Sequence, residues 1–407
     1  MMICSTTMPR FGDKKNSDFF EEYLQRLLTQ RDASGLTDMI GGIEALMIGV
    51  EPGNSVDYIT ELALMTPYQY LVTLDSDKHL THVLRIDMES PDILLREVKH
   101  AEHTDIFRSL NDLYPVGAKR PHSRYLGEIL LTTNRHDVVA LQQEREFRFF
   151  QTEQLAELDL PLNVSISKPS PYTQNVLGYI ERPENAIRLY QHGYCVIFPQ
   201  AQAANDRGKE MQERLGIRHL LCPIDHLATR VYSQNREAAI LEYLALSSYY
   251  YWGSYDIPDQ NSSTNVTKNT RLDPESKSPA KVFTANNHPY CVNHIDNMPS
   301  PTETFVRNYG PRLHHIAVEV KDGHQAGKEN IDVVVDAITA QGKDFLVNTV
   351  GSREEGLKQI FSSASSFSSL IIEYVQRFDE FDGFFTKENV ASLTYAAGQE
   401  EGVSKAL

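Results

Sequence analysis

Asp225-His226-Leu227-Ala228-Thr229-Arg230-Val231 and His314-His315-Ile316-Ala317-Val318-Glu319-Val320 are two strand-like runs of nearly the same pattern. In each, a histidine is followed two residues later by an alanine, and the period of a strand puts that pair on one face. The same alternation groups His315 with Ala317 and Glu319, matching His226, Ala228 and Arg230, and sends His314 to the other face with Ile316 and Val318. A third run, Leu370-Ile371-Ile372-Glu373-Tyr374-Val375-Gln376-Arg377, suits a buried strand except for the carboxylate that interrupts it. A lone histidine in a strand is more often a core residue than a ligand. A duplicated histidine strand followed by an apolar strand carrying a carboxylate is not explained by packing needs, and it marks His226, His315 and Glu373 as metal-ligand candidates. Two imidazoles and a carboxylate form the facial triad of non-haem Fe(II) oxygenases, although the ligand types alone suit Mn(II), Co(II) and Zn(II) equally.

Five segments extend the pattern. Ile224-Asp225-His226 reads like "L-D-H", His314-His315-Ile316-Ala317 like "Q-H-[IL]-A", and Ile371-Ile372-Glu373-Tyr374-Val375-Gln376-Arg377 like "F-x-E-[FI]-[IV]-Q-R". Gly356-Leu357-Lys358-Gln359-Ile360-Phe361-Ser362 looks like "L-L-Q-I-F-[ST]", and Asp382-Gly383-Phe384 with Asn389 looks like "G-G-F-G-x-G-N-F". In these motifs, over about residues 220–395, the chain resembles the 4-hydroxyphenylpyruvate dioxygenase branch of the vicinal oxygen chelate superfamily. The resemblance implies an α+β fold of tandem βαβββ modules that curl into open barrels, the C-terminal barrel holding the metal. It implies Fe(II) as cofactor, with O2 and a 2-oxo acid, aromatic and 4-hydroxyphenylpyruvate-like, as substrates of oxidative decarboxylation and hydroxylation. It assigns Gln359 to a hydrogen bond with the substrate, Phe361 to stacking on a ring, Asn293 to a polar pocket position, and Phe384 to the segment leading into a gating helix. The sequence departs from the pattern at His314, where the family has Gln, and at Val390, where it has an aromatic residue. Two alternatives stay open. One is an extradiol ring-cleaving dioxygenase, which would recruit an acid/base group such as His314 or Tyr374. The other is a non-catalytic metal-binding member of the same fold.

Composition bounds the remaining classes. A formal net charge of −16 with no basic run disfavours nucleic acid as a partner. Cys4, Cys195, Cys222 and Cys291 show no C-x-x-C spacing, so neither a zinc ribbon nor a redox pair is indicated. No basic segment followed by an apolar core opens the sequence, and no apolar run reaches spanning length. A cytoplasmic protein without membrane contact is the expectation, with homo-oligomer formation left open.

Along the chain, residues 1–215 are expected to form a degenerate, metal-free α+β domain and residues 216–407 the catalytic one. A helix is expected over 17–31, capped by Ser17, then strands at Tyr68–Leu74 and His82–Asp87 and a helix over Asp92–Val98 opened by Ser90-Pro91. A second unit runs from a strand at Tyr125–Thr133 through a helix near His136–Phe147 to a strand at Gly193–Phe198. A helix over 207–215 leads to strand 224–231, a helix over Asn235–Leu246 and aromatic strands. The polar stretch Asp256–Ser278 reads as a surface loop before strands at Ala280–Phe283 and Tyr290–Asn293. Strand 313–320, a helix over Asn330–Gln341 and strands 343–348, 356–362 and 369–377 complete four βαβββ-type units, the first two weakly marked and the last two clearly. His79, His82, His100 and His103 cluster without a matching carboxylate strand and read as solvated or capping residues. The tail from Gly383 to about Ala397, with a helix over Thr386–Leu393, is expected to act as a lid.

Overall fold

The computed structural model describes residues 14–100, 124–157, 159–160, 163–181, 195–269, 278–288, 301–325, 327–346, 348–379, 381 and 383–400. After helices α1 (Lys14–Ala33) and α2 (Leu36–Met39), the first module is a complete βαβββ unit. It comprises β1 (Ile40–Val50), α3 (Ser55–Met65), β2 (Gln69–Asp75), β3 (His79–Arg85) and β4 (Asp92–Val98). The second has β5 (Arg124–Thr132), α4 (Arg135–Glu144), α5 (Thr152–Glu157), β6 (Val164–Ile166) and β7 (Val176–Ile180). The short β8 (Cys195–Val196) pairs with β2 at the opposite edge of the sheet, so the strand expected at Gly193–Phe198 does not close the second module. Helix α6 (Pro199–Leu215) begins eight residues before the expected 207, with proline at its start, where its missing N–H costs nothing. It ends at Gly216 in the left-handed conformation, φ 67°.

The second sheet follows the same plan. Its third module is β9 (Leu221–Arg230), α7 (Arg236–Leu246), β10 (Tyr249–Ile257), β11 (Ser262–Asn269) and β12 (Ala280–Asn286). After α8 (Pro301–Tyr309), the fourth runs from β13 (Arg312–Val320) through a small hairpin, β14 (His324–Gln325) and β15 (Lys328–Glu329), to α9 (Asn330–Thr339). It finishes with β16 (Val350–Ser352), β17 (Leu357–Phe361) and β18 (Ile371–Arg377), and the tail forms α10 (Lys387–Glu400). The strand orders are β6-β7-β5-β1-β4-β3-β2-β8 and β10-β11-β12-β9-β13-β18-β17-β16. In both sheets the opening strands of two modules lie side by side, antiparallel, and each pairs in parallel with the closing strand of its own module. The four-module expectation therefore holds, and the first module is as complete as the last two.

Several local expectations are corrected. Asp92–Val98 is a strand, buried at every residue, because it lies between β1 and β3. A short continuous apolar run fits a doubly covered strand as well as a helix, and packing decides. Asp256–Ser278 is not one surface loop, since β10 continues to Ile257 and Ser262–Asn269 forms the buried strand β11. Two of its buried polar side chains bond to the adjoining strand: Asn265 Nδ2 donates to the Phe283 carbonyl (3.2 Å) and Thr267 to that of Lys281 (2.9 Å). The strand expected at 343–348 is reduced to one bridge, Phe345 to Ser362, with the pairing taken over by β16. Helix α1 begins at Lys14, so Ser17 lies within it and does not cap it. His79 and His82 are buried, not solvated: the His82 ring nitrogens contact Ser55 Oγ (3.0 Å) and Thr73 Oγ1 (2.8 Å), and burial pulls its pKa down to about 4. His100 is exposed, and His103 and Tyr290–Asn293 lie outside the described residues.

One continuous apolar core joins the two sheets, combining Leu46, Tyr58, Leu95 and Tyr179 with Leu227, Leu244, Ile316 and Tyr374. Polar bonds cross it as well. Arg31 Nη1 donates to the carbonyls of Leu244, Ser247 and Tyr249 at 2.8, 2.9 and 2.6 Å, and the Tyr374 hydroxyl donates to that of Met65 at 2.8 Å. Lys281 Nζ lies 2.9 and 3.1 Å from the two carboxylate oxygens of Glu128, with side chains 2% and 3% exposed. The opposite face of each sheet is a separate bowl. In the first it is filled by Met47, Leu74, Leu94, Leu126, Ile129 and Phe150. In the second the central strands supply Ala228 and Ala317 instead.

Removing one partner of the Lys281–Glu128 pair leaves a buried charge uncompensated. Glu128→Ala is expected to lower unfolding free energy by about 3–5 kcal/mol, and Glu128→Leu combined with Lys281→Met to recover most of it. Urea or thermal unfolding of the single and double variants checks this; equal losses in both would show that the pair's charge balance is not what matters.

Candidate metal centre

The space left by Ala228 and Ala317 is where His226, His315 and Glu373 meet. Strands β9, β13 and β18 are neighbours in the sheet, so three side chains far apart in sequence project into one bowl. His226 Nε2 and His315 Nε2 lie 3.0 and 3.1 Å from Glu373 Oε2 and 3.3 Å from each other. Two donors at about 2.1 Å from one octahedral metal ion stand about 3.0 Å apart when adjacent and about 4.2 Å when opposite. The three separations fit mutually adjacent, facial positions and exclude a meridional set. All three residues are buried, and among the described residues they are the one group of three or more His, Cys, Asp or Glu side chains that converges in this way.

Neighbouring groups fix the imidazoles. The Nδ1–H of His226 donates to Asp225 Oδ1 at 2.6 Å, and Arg377 Nη2 donates to the same oxygen at 3.1 Å. Burial alone would raise Asp225, but Arg377 and His226 outweigh it and pull the carboxyl down to about 2, so it stays ionised. A carboxylate behind the imidazole sets the ring's tautomer, as one does behind a metal-binding histidine. His226, which burial would hold neutral, is raised to about 9 by Glu373 and Asp225, so an incoming metal displaces a proton. Burial would raise Glu373 too, yet the two facing imidazoles keep its carboxyl below the usual range.

His314 departs from the expected register. Leu313 pairs with Thr229 and His315 with Ala228, which leaves His314 as the extra residue of a β-bulge. Leu313 and Ile316 face the common core, and both histidines line the bowl. His314 Nδ1 lies 2.8 Å from His315 Nδ1. With His315 Nε2 directed at the triad, its Nδ1 carries the proton and His314 Nδ1 accepts it. Burial, then the charge of Arg230, holds His314 far below the usual histidine range, so it is neutral. Simple alternation could not foresee this, because a bulge leaves no mark in a hydrophobic pattern.

The remaining expected residues divide. Gln359 is 1% exposed, lines the cavity, and its Oε1 finds no hydrogen-bond partner in the described structure. Phe361 lines it too, with its ring 4.8 Å from that of His315. Phe384 packs at 5.5 Å on the His226 ring and against Trp252, but the cavity wall is formed by Phe385, 5.2 Å from the same ring. Asn293 lies outside the described residues. Tyr374 faces away, its hydroxyl bonded to Met65 in the core, so it is not available as an acid or base at the centre. Asp225 and the cavity-lining Arg230 were not singled out from sequence as site residues. The aspartate beside His226 and the fourth residue after it on the same face were the available signals.

The tail closes the bowl. Backbone N–H groups of Phe384 and Phe385 donate to the Tyr255 hydroxyl (3.2 and 2.9 Å), Asn389 N–H donates to Thr386 Oγ1 at the start of α10 (3.1 Å), and Asn389 Nδ2 donates to the Leu357 carbonyl (3.2 Å). Val390, Leu393 and Thr394 of α10 then cover a cavity of about 50 Å3. A larger cavity of about 540 Å3, lined by Lys168, Glu242, Glu128 and Lys281, lies away from the triad and holds none of its donors. Among the described residues no helix is long and apolar enough to cross a membrane.

Similarity to solved structures is informative at this point. A triple mutant of 4-hydroxymandelate synthase from Streptomyces coelicolor superposes with a TM-score of 0.60 at 13% identity, covering 89% of this chain and 99% of that one. The chain has the vicinal oxygen chelate fold. A xylose isomerase-like TIM barrel/4-hydroxyphenylpyruvate dioxygenase fusion protein gives 0.53 at 12% identity, over 88% of this chain and 52% of that longer one. At the level of sequence, no family model and no curated protein matches.

Purified protein is expected to hold one divalent metal ion per chain, and His226→Ala, His315→Gln and Glu373→Ala to reduce that to near zero. His314→Gln should keep the stoichiometry, and Asp225→Asn should weaken affinity about 10- to 100-fold. Metal analysis after dialysis decides: full metal content in both His226→Ala and Glu373→Ala would remove the triad assignment.

Proposed function

We propose that the protein is a non-haem Fe(II) dioxygenase acting with O2 on a 2-oxo acid, its catalytic centre in residues 216–407 and residues 1–215 serving as a metal-free partner half. The observation that carries this reading is the facial spacing of His226, His315 and Glu373, which would hold the metal and leave its other positions toward the cavity lined by Gln359 and Phe361. Bound there, Fe(II) would supply the oxygen chemistry and accept the carboxylate and keto oxygens of the substrate.

The chain's own residues do the rest. Asp225 and His314 accept the Nδ1 protons of the two ligand histidines and keep both Nε2 atoms free for the metal. Gln359 brings an unpartnered buried amide oxygen, and an amide offers both a donor and an acceptor for ordering the bound oxo acid. Phe361 and Phe385 wall the centre with rings and exclude water. The cavity of about 50 Å3 admits a few waters but not an aromatic oxo acid, so α10 must move for substrate to enter. Of the two acid/base groups that extradiol ring cleavage could recruit, Tyr374 is committed to the core and only His314 lines the cavity.

Anaerobic reconstitution with Fe(II) followed by addition of 2-oxo acids should produce a visible charge-transfer band that His226→Ala lacks. Absence of any band across a panel of aliphatic and aromatic 2-oxo acids, with a catechol producing one, would turn the reading to ring cleavage. Gln359→Ala is expected to lower kcat/KM about 10- to 100-fold with metal content unchanged, the loss of a hydrogen bond to a charged group. Removing residues 383–407 should leave Fe(II) binding in place and uncouple O2 consumption from product formation. Oxygen-electrode traces set against product yield check it, and unchanged coupling would leave the tail a purely structural element.

A further inference from the structure

The larger cavity, of about 540 Å3, lies where the two halves meet and on the other side of β12 from the triad. Alternation along that strand divides its side chains: Lys281 and Phe283 line this cavity, Val282 and Thr284 the one beside the triad. The facing wall comes from the first half, through Val176 and Leu177 of β7 and the segment 167–171, and α7 contributes Glu242 and Tyr243. A cleft of this size is large enough for a small organic molecule, and the joint between two domains is a common place for one.

Burial sorts the lining into a floor and a mouth. Val176, Leu177, Tyr243 and Phe283 are buried, the two rings edge-on with centroids 5.7 Å apart. The charges at that depth, Lys281 and Glu128, are paired with each other. Nearer solvent, Glu242 is half-buried and accepts a hydrogen bond from Ser170 Oγ, and among the described residues no Lys or Arg pairs with it. Burial, partly offset by the Ser170 bond, raises its carboxyl to about 6, as expected of a desolvated carboxylate without a cation. Lys168 stands two residues before Ser170, within about 7 Å along the backbone. Its ammonium has three donors, of which one goes to Gln154 Oε1 at 2.8 Å. Asn175 is held beside them, its carbonyl accepting from the Ser170 N–H at 2.9 Å. It is 9% exposed and lines the cavity, and among the described residues its side-chain amide makes no hydrogen bond. The mouth thus presents a carboxylate that lacks a cation, with an ammonium and an amide next to it, above an apolar floor bearing two rings. Both signs of charge side by side match a zwitterion better than an anion or an amine alone.

We propose that this cavity binds an α-amino acid with an aromatic side chain, Glu242 holding its ammonium, Lys168 and Asn175 its carboxylate, and Tyr243 and Phe283 its ring. Charge-assisted hydrogen bonds at the mouth fix the orientation of the head group, and edge-to-face contact on the floor favours a ring over an aliphatic chain. Neither the metal nor its chemistry enters this recognition.

The test is titration calorimetry of the metal-loaded protein with L-phenylalanine and three probes that each lack one recognised group: 3-phenylpropionate, 2-phenylethylamine and L-alanine. L-Phenylalanine should bind once per chain, and each of the three about tenfold more weakly or worse. Glu242→Gln keeps an acceptor for Ser170 and removes the charge, and it should weaken L-phenylalanine about tenfold or more without weakening 3-phenylpropionate. Lys168→Met should weaken L-phenylalanine comparably and spare 2-phenylethylamine. Unchanged far-ultraviolet circular dichroism checks the fold of both variants, and His226→Ala should bind L-phenylalanine as the unaltered protein does. No binding of L-phenylalanine at millimolar concentration, equal affinity for any of the three truncated probes, or affinity unchanged in both Glu242→Gln and Lys168→Met would overturn the assignment. Binding lost in His226→Ala would place the amino acid at the metal centre and overturn it as well.

Discussion

Glu373 Oε2 within 3.0 and 3.1 Å of two imidazole nitrogens, in a place closed to solvent, is the constraint around which the second sheet is organised. A buried carboxylate is tolerated only with partners, and the partners must arrive from strands that the chain visits about 60 and 150 residues earlier. Adjacent placement of β9, β13 and β18 meets that need without any loop contributing a donor. The small side chains of Ala228 and Ala317 follow from the same demand, since a larger residue on either strand would occupy the space where the three donor atoms converge. The first sheet, with the same strand plan, shows the other outcome. Its bowl is filled by Met47, Leu126 and Ile129 and needs no ligand to be complete.

Support for the triad comes from both sides of each imidazole. Asp225 is held by Arg377, and Arg377 also donates to the Phe384 carbonyl at 3.1 Å. One guanidinium thus links the group that orients His226 to the first residues of the covering tail. The tail and the hydrogen bonding behind His226 thereby share one side chain, Arg377.

Much of this was legible in the residues. The duplicated His-x-Ala strands and the glutamate inside an apolar run identified the three convergent side chains, because strand alternation and the cost of burying a carboxylate are local rules. Gln359 and Phe361 were found by their motif and do line the cavity. What local rules missed was set by neighbours distant in sequence. Asp92–Val98 carries an apolar run that either a helix or a strand accommodates, and only its position between β1 and β3 selects the strand. Ser262–Asn269 looks like a loop by composition, yet its Asn265 amide and Thr267 hydroxyl find partners on the adjoining strand. The bulge at His314 inverts the face of one residue, and Arg230 acquires its interest only when its strand is seen to end over the same cavity.

The core shared by the two halves has a consequence for biosynthesis. Tyr374 bonds to Met65 across 309 residues of chain, and Arg31 reaches carbonyls more than 200 residues downstream. At ordinary elongation rates Met65 waits about 15–60 s before the strand bearing Tyr374 exists. Until the second sheet is synthesised, the faces carrying Leu46, Tyr58, Leu95 and Tyr179 lack the partner that covers them in the folded chain. The apolar face of the first sheet is therefore exposed to aggregation during synthesis until its second-sheet partners emerge.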